Sequence, residues 1–64
     1  MKVREVIKCV EADGWYYVRT RGDHRQYKHP TKRNVVTILG QLGDDMPAGT
    51  LSNIFRQAEI ERKR

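Results

Sequence analysis

The sequence predicts an α+β fold in which a three-stranded antiparallel sheet is covered on one face by two helices. Apolar residues recur at helical spacing near both ends of the chain. Between them lie three short runs rich in aromatic and β-branched residues, separated by glycine, proline and asparagine. Because two amphipathic helices can bury one face of such a sheet, this order leaves the opposite face open to water.

The first helix is predicted over residues 2–12, because apolar side chains repeat there every three or four residues. These apolar positions are Val3, Val6, Ile7 and Val10. Gly14 is expected to end the helix, since glycine readily adopts the left-handed conformation of a C-terminal cap.

The second helix is predicted after a loop that contains Pro47 and Gly49. Its apolar positions are Leu51, Ile54, Phe55 and Ala58. Asp44 and Asp45 precede it and are expected to favour the positive N-terminal end of this helix. A charged tail over residues 59–64 is expected to follow.

Three strands are predicted over Trp15–Thr20, His24–His29 and Val35–Leu39. Gly22 and Asp23 supply the first turn, and Pro30, which cannot donate to a sheet, ends the second strand. Residues 31–34 form the second turn.

Side-chain alternation predicts which face of the second strand is buried. Tyr27 is the only large, mainly apolar residue in that strand, so Tyr27 and Arg25 are predicted to face the helices. His24, Gln26 and Lys28 then share the open face. An imidazole and a lysine are therefore expected on one solvent-exposed surface.

The excess positive charge lies in one segment. Between Arg19 and Arg33 there are six basic residues and one acid, Asp23, so this segment alone carries the formal net charge of +5 of the chain. The six are Arg19, Arg21, Arg25, Lys28, Lys32 and Arg33. Such a concentration favours an anionic partner such as nucleic acid. His24 lies inside the segment, where an imidazole would stand beside bound phosphate.

The 64 residues are predicted to form a single domain, 1–64. Cys9 is the only cysteine, which excludes a disulfide within the chain and fits the reducing cytoplasm. No apolar run of about 18 residues is present, so no membrane span is predicted. Cys9, His24 and His29 match no recognised ligand pattern, so no metal or other cofactor is expected. A partner protein is the expected source of extra stability for so short a chain.

One set of motifs spans nearly the whole chain. It consists of Gly14-Trp15, Val18-Arg19, Gly22-x-His24, Tyr27-Lys28-His29-Pro30, Gly49-Thr50-Leu51 and Gln57-Ala58. This set resembles the HicA toxin family, the small mRNA interferases of bacterial and archaeal type II toxin–antitoxin pairs. The resemblance implies a fold similar to the double-stranded-RNA-binding domain, α-β-β-β-α, which is the order predicted above. It also implies a role in stress response and a hetero-oligomer with a HicB-type antitoxin.

The resemblance assigns catalysis to His24, in a metal-independent endoribonuclease that cleaves mRNA. RNA carries its own nucleophile, the 2′-hydroxyl, which a histidine can activate as a general base. Gly22 and Asp23 would position the histidine in the turn. The expected RNA contacts are Arg19, Arg21, Arg25, Lys28 and Lys32. The expected products are a 2′,3′-cyclic phosphate and a 5′-hydroxyl.

The chain departs from the family pattern at Asp23, where the usual residue is serine, and at the acidic segment 43–47. Asp23 either hydrogen-bonds the imidazole or caps the turn, and its charge opposes RNA binding. Two alternatives therefore stay open: a non-catalytic double-stranded-RNA-binding module, and a degenerate toxin blunted by Asp23.

The remaining aromatic and histidine residues have structural interpretations. His29 is expected to end its strand rather than pair with His24, because the two lie on opposite faces and about 16 Å apart. Trp15 is predicted to be core. Tyr16 or Tyr17 is a weak candidate for stacking on a base.

Overall fold

A computed structural model describes residues 1–60 and confirms the predicted order of helix, three strands and helix. The elements are α1 (Val3–Ala12), β1 (Tyr16–Arg21), β2 (His24–Lys28), β3 (Val36–Leu39) and α2 (Ala48–Gln57). The strands form one antiparallel sheet in the order β1-β2-β3. The predicted charged tail falls mostly on residues 61–64, which lie outside the described residues.

The core lies between the helices and one face of the sheet. Both helices pack against β3, and Trp15 and Tyr27 are buried, as predicted. The core consists of Val3, Val6, Val10, Trp15, Tyr27, Val36, Ile38, Met46, Leu51, Ile54, Phe55 and Ala58. In contrast, every residue of β1 is exposed. The helices therefore cover β2 and β3 but leave β1 as an exposed edge.

Both helices end in the same capping motif. After α1, the Gly14 N–H donates to the Glu11 carbonyl at 3.0 Å and the Trp15 N–H donates to the Val10 carbonyl at 3.1 Å. This pair of bonds is the Schellman arrangement, and Gly14 has the positive φ (107°) that it requires. Gly14 also lies against a side chain, because a Cβ there would stand 2.8 Å from Nε2 of His29.

After α2 the left-handed position is filled by Glu59, with φ 54°. The N–H groups of Glu59 and Ile60 donate to the carbonyls of Arg56 and Phe55, at 3.1 and 3.0 Å. Ile60 is partly buried against the core. The first two residues of the predicted tail thus belong to the cap of α2.

Lys32 joins the C-terminal ends of the two helices. Its ammonium donates to Oδ2 of Asp13 at 2.5 Å, to the Ala58 carbonyl at 2.9 Å and to the Glu59 carbonyl at 3.1 Å. This hydrogen bond from Lys32 is the main cause of the lowered pKa of the Asp13 carboxyl. A cation is favourable here because the carbonyl ends of both helix dipoles are negative.

The acidic loop before α2 supports the other helix. The Asp44 carbonyl accepts the N–H of Val3 at 2.9 Å, and the Asp45 carboxylate lies 3.1 Å from Nζ of Lys2. The first turn of α2 follows the N-cap residue Pro47 and contains no acidic residue. The two aspartates, which were expected to favour the N-terminus of α2, contact the start of α1, since the loop folds back onto that helix.

Candidate active site

The sheet face turned away from the helices, here called the open face, carries the predicted histidine. Arg21 of β1 and Leu39 of β3 lie directly opposite His24 on either side. The His24 side chain is 54% exposed. Because paired residues of antiparallel strands share a face, Arg21 stands next to the imidazole. The predicted exposure of His24 is confirmed.

A β-bulge determines which arginines join His24. Tyr17 pairs with Tyr27 and Arg19 pairs with Gln26, so Val18 is an extra residue in β1. Strict alternation from the buried Trp15 would turn Arg19 toward the helices. The bulge reverses that phase and brings Arg19 to the open face.

The same register places Arg21 opposite His24 and Tyr16 opposite Lys28, all on the open face. Tyr17 lies on the helix side, where its ring makes an edge contact with the ring of Tyr27 at 5.9 Å. Of the two tyrosines weighed for base stacking, only Tyr16 therefore shares a face with the histidine.

A two-residue turn holds His24 at the start of β2. Gly22 has φ 64° at the first central position, as in type II′ hairpin turns. The Asp23 carboxylate follows, with Oδ1 at 3.5 Å from Nε2 of His24, and its side chain is 71% exposed. At that distance and exposure the contact is a weak ion pair, present when the imidazole is protonated.

A hydrogen bond links two further polar residues of the open face. Nε of Arg19 donates to Oε1 of Gln26 at 2.9 Å. Around this pair lies a shallow depression lined by Val18, Arg19, Gln26, Lys28 and Val35. The depression is next to His24, since Gln26 and His24 are on the same face of β2 and about 7 Å apart along the strand.

Two of the predicted RNA contacts lie elsewhere. Arg25 faces the helix side, and its guanidinium donates to the Gly40 carbonyl at 2.5 Å. Lys32 is engaged at the helix ends, beyond the end of β2 opposite to the one that carries His24. Of the five basic residues, the structure therefore brings Arg19, Arg21 and Lys28 together with His24, and not Arg25 or Lys32.

His29 has a structural role, as predicted. Its Nε2 lies 2.8 Å from the Asp13 carbonyl, and its Nδ1 accepts the N–H groups of Thr31 and Lys32 at 3.1 and 3.2 Å. Its ring also contacts Trp15 edge-on at 5.2 Å. Because a carbonyl can only accept, the Nε2–H tautomer satisfies all of these contacts. The ring thereby fixes the turn after β2 to the end of α1.

Residues 1–60 contain no group of three or more His, Cys, Asp or Glu side chains placed to hold a metal ion. No helix among them is long and apolar enough to cross a membrane.

Comparison with known proteins agrees with the motifs described above. Comparison with curated protein sequences gives no match. A family model described as the HicA toxin of bacterial toxin–antitoxin systems matches residues 3–60, which is nearly the whole chain. The chain therefore belongs to the HicA toxin family and is a toxin of a toxin–antitoxin system.

Proposed function

We propose that this toxin is a metal-independent endoribonuclease that cleaves mRNA with His24 as its single catalytic histidine. The observation that carries the proposal is an exposed imidazole in the hairpin that contains the bulge, on a face shared with Arg19, Arg21 and Lys28. Cations on one face concentrate a polyanion and hold its phosphates. His24 shares this face and would therefore lie beside such a phosphate.

The proposed reaction uses the nucleophile of the RNA. The His24 imidazole accepts the proton of a 2′-hydroxyl, whose oxygen attacks the adjacent phosphorus while the bond from phosphorus to the 5′-oxygen breaks. The leaving oxygen takes a proton from water. Arg21, directly across the hairpin from His24, stabilises the additional negative charge of the transition state. The products are a 2′,3′-cyclic phosphate and a 5′-hydroxyl.

The proposed partner is a HicB-type antitoxin that covers the open face in a cytoplasmic hetero-oligomer. Acidic groups on its surface would complement Arg19, Arg21 and Lys28 and speed association. The partner would also cover Leu39 and Val35, which are both 44% exposed on or next to β3. Covering the open face would inactivate the toxin, and covering the two apolar residues would add the apolar burial that a small domain lacks.

End-group analysis of cleaved RNA tests the reaction. Purified protein and single-stranded RNA are incubated in excess EDTA, and the products are examined for 5′-hydroxyl and 2′,3′-cyclic phosphate ends. We expect cleavage to continue in EDTA with these ends. Products with 5′-phosphate ends would contradict the mechanism, and tight binding of duplex RNA with no cleavage would favour a non-catalytic binding module.

Replacing Asp23 by serine is expected to accelerate cleavage. The Asp23 carboxylate is an exposed negative charge 3.5 Å from the imidazole, where the RNA phosphate is expected. Exposed charge interactions are worth about 0.2–1 kcal/mol, so Asp23→Ser should raise kcat/KM by up to about fivefold at low salt. The measurement is initial cleavage rate against RNA concentration at two ionic strengths. A serine variant no faster than the parent at low salt would show that Asp23 does not repel the substrate.

A further inference from the structure

The depression beside His24 is lined by both apolar and polar side chains. Val18 of β1 and Val35, which immediately precedes β3, are 41% and 44% exposed. The polar part of its lining, here called the polar floor, consists of the side chains of Arg19, Gln26 and Lys28. Such a lining suits a nucleobase, because the face of a base packs on side chains while its edge forms hydrogen bonds. The sugar–phosphate chain alone gains nothing from the valines.

The polar floor presents mainly hydrogen-bond donors, since one lone pair of the Gln26 carbonyl oxygen is already used. Arginine has no acceptor, so the contact between Arg19 and Gln26 fixes the Gln26 carbonyl oxygen toward Arg19. The Gln26 amide N–H groups then remain to donate, together with the other N–H groups of Arg19 and the ammonium of Lys28. A base edge with two neighbouring acceptors fits such a floor. Guanine has these acceptors at O6 and N7. Adenine keeps N7 but carries an amino group, a donor, in place of O6.

We propose that this depression binds a guanine base of single-stranded RNA within two nucleotides of the cleaved phosphate. The proposal rests on the proposed function, in that it gives the RNA a base preference at the same open face. Gln26 lies about 7 Å from His24 along β2. That distance corresponds to about two stacked nucleotide steps of 3.4 Å, so the guanine lies within two nucleotides of the scissile phosphate.

Binding of uridine-rich RNA oligonucleotides that differ in one base tests the proposal. Each oligonucleotide carries one guanine, adenine or 7-deazaguanine, and the His24→Ala protein is used so that the RNA stays intact. We expect guanine to bind about tenfold more tightly than adenine, the lower part of the range for a bidentate contact. The 7-deaza base, which lacks one of the two acceptors, should lose most of that gain.

Gln26→Met is the decisive variant. It keeps the size of the side chain and leaves Arg19, Arg21 and Lys28 unchanged. It removes the amide donors and the carbonyl oxygen that accepts the hydrogen bond from Arg19. We expect it to bind all three oligonucleotides equally, while Gln57→Met, which changes an exposed glutamine on α2, keeps the preference for guanine. Measurement of the thermal midpoint shows whether each variant is folded.

The outcomes separate this proposal from the proposed function. Cleavage by the parent protein with no base preference, in binding or at the cut sites, would overturn the guanine site and leave the ribonuclease intact. A guanine preference that Gln26→Met abolishes, in a protein that never cleaves, would support the site and refute the ribonuclease. Equal binding of guanine and adenine, or no binding of RNA, would overturn the site.

Discussion

His24→Ala is expected to abolish the toxicity of the protein and to lower its RNA cleavage rate by about 10²–10⁴-fold, the usual contribution of a general acid–base residue. The side chain is 54% exposed and, within residues 1–60, its polar contact is the 3.5 Å approach of Asp23. Its removal should therefore change the free energy of unfolding by less than about 0.5 kcal/mol. The measurements are growth after induced expression, cleavage of purified RNA and the thermal midpoint.

The second histidine supplies the matched control. His29→Ala removes a ring that contacts the Asp13 carbonyl and accepts two backbone N–H groups, so it should cost about 1–3 kcal/mol of stability. At a temperature where this variant is folded, it should still cleave RNA. The two variants should therefore have opposite phenotypes: His24→Ala is stable and inactive, and His29→Ala is less stable and active. A His24→Ala protein that still cleaves at the parental rate would refute the catalytic assignment.

Local periodicity predicted the layout because helical spacing and strand alternation depend only on neighbouring residues. Val3, Val6 and Val10 fall on one face of α1, and all three are buried. Tyr27 could be oriented because it is the one large apolar residue in its strand, and its position sets His24 and Lys28 on the opposite face. The fold and the placement of the histidine were therefore accessible from the sequence.

Which residues join His24 was harder to predict from the sequence, because it depends on a one-residue shift in the register of β1. Val18 carries no sequence signal for a bulge, such as glycine, yet the bulge brings Arg19 onto the histidine face. The net charge of the basic segment was likewise a poor guide to where its individual side chains lie. Arg25 and Lys32 count toward the basic segment, but backbone carbonyls brought close by the tertiary fold bind both side chains.

Lys32→Met is expected to lower the free energy of unfolding by about 2 kcal/mol. Methionine keeps the aliphatic length of lysine but leaves the Asp13 carboxylate and the carbonyls of Ala58 and Glu59 without the ammonium that binds all three. A hydrogen bond to a charged group contributes about 1.5–3 kcal/mol, and the lower part applies because the side chain is 22% exposed. For a domain of this size, the thermal midpoint should fall by roughly 8–16 °C.

The pH dependence of this loss identifies its cause. The pKa of Asp13 is lowered in the folded protein, mainly by the Lys32 hydrogen bond, so its contribution is complete above the unfolded value of 3.8 and is lost as the pH falls through the folded value. The difference in stability between the parent and Lys32→Met should therefore be largest near neutral pH and should shrink below about pH 4. A difference that stays constant down to pH 2 would exclude the carboxylate as the main partner.

Lys28→Met is the matched substitution on the open face. Lys28 is exposed and makes no ion pair with a described residue, so this variant should keep the parental midpoint while its KM for RNA rises, with a weaker dependence on salt. The folded Lys32→Met protein should keep the parental KM, because the ammonium that it lacks is bound at the helix ends in the parent protein. A raised KM in the Lys32→Met protein would show that Lys32 contacts RNA, as its charge alone had predicted.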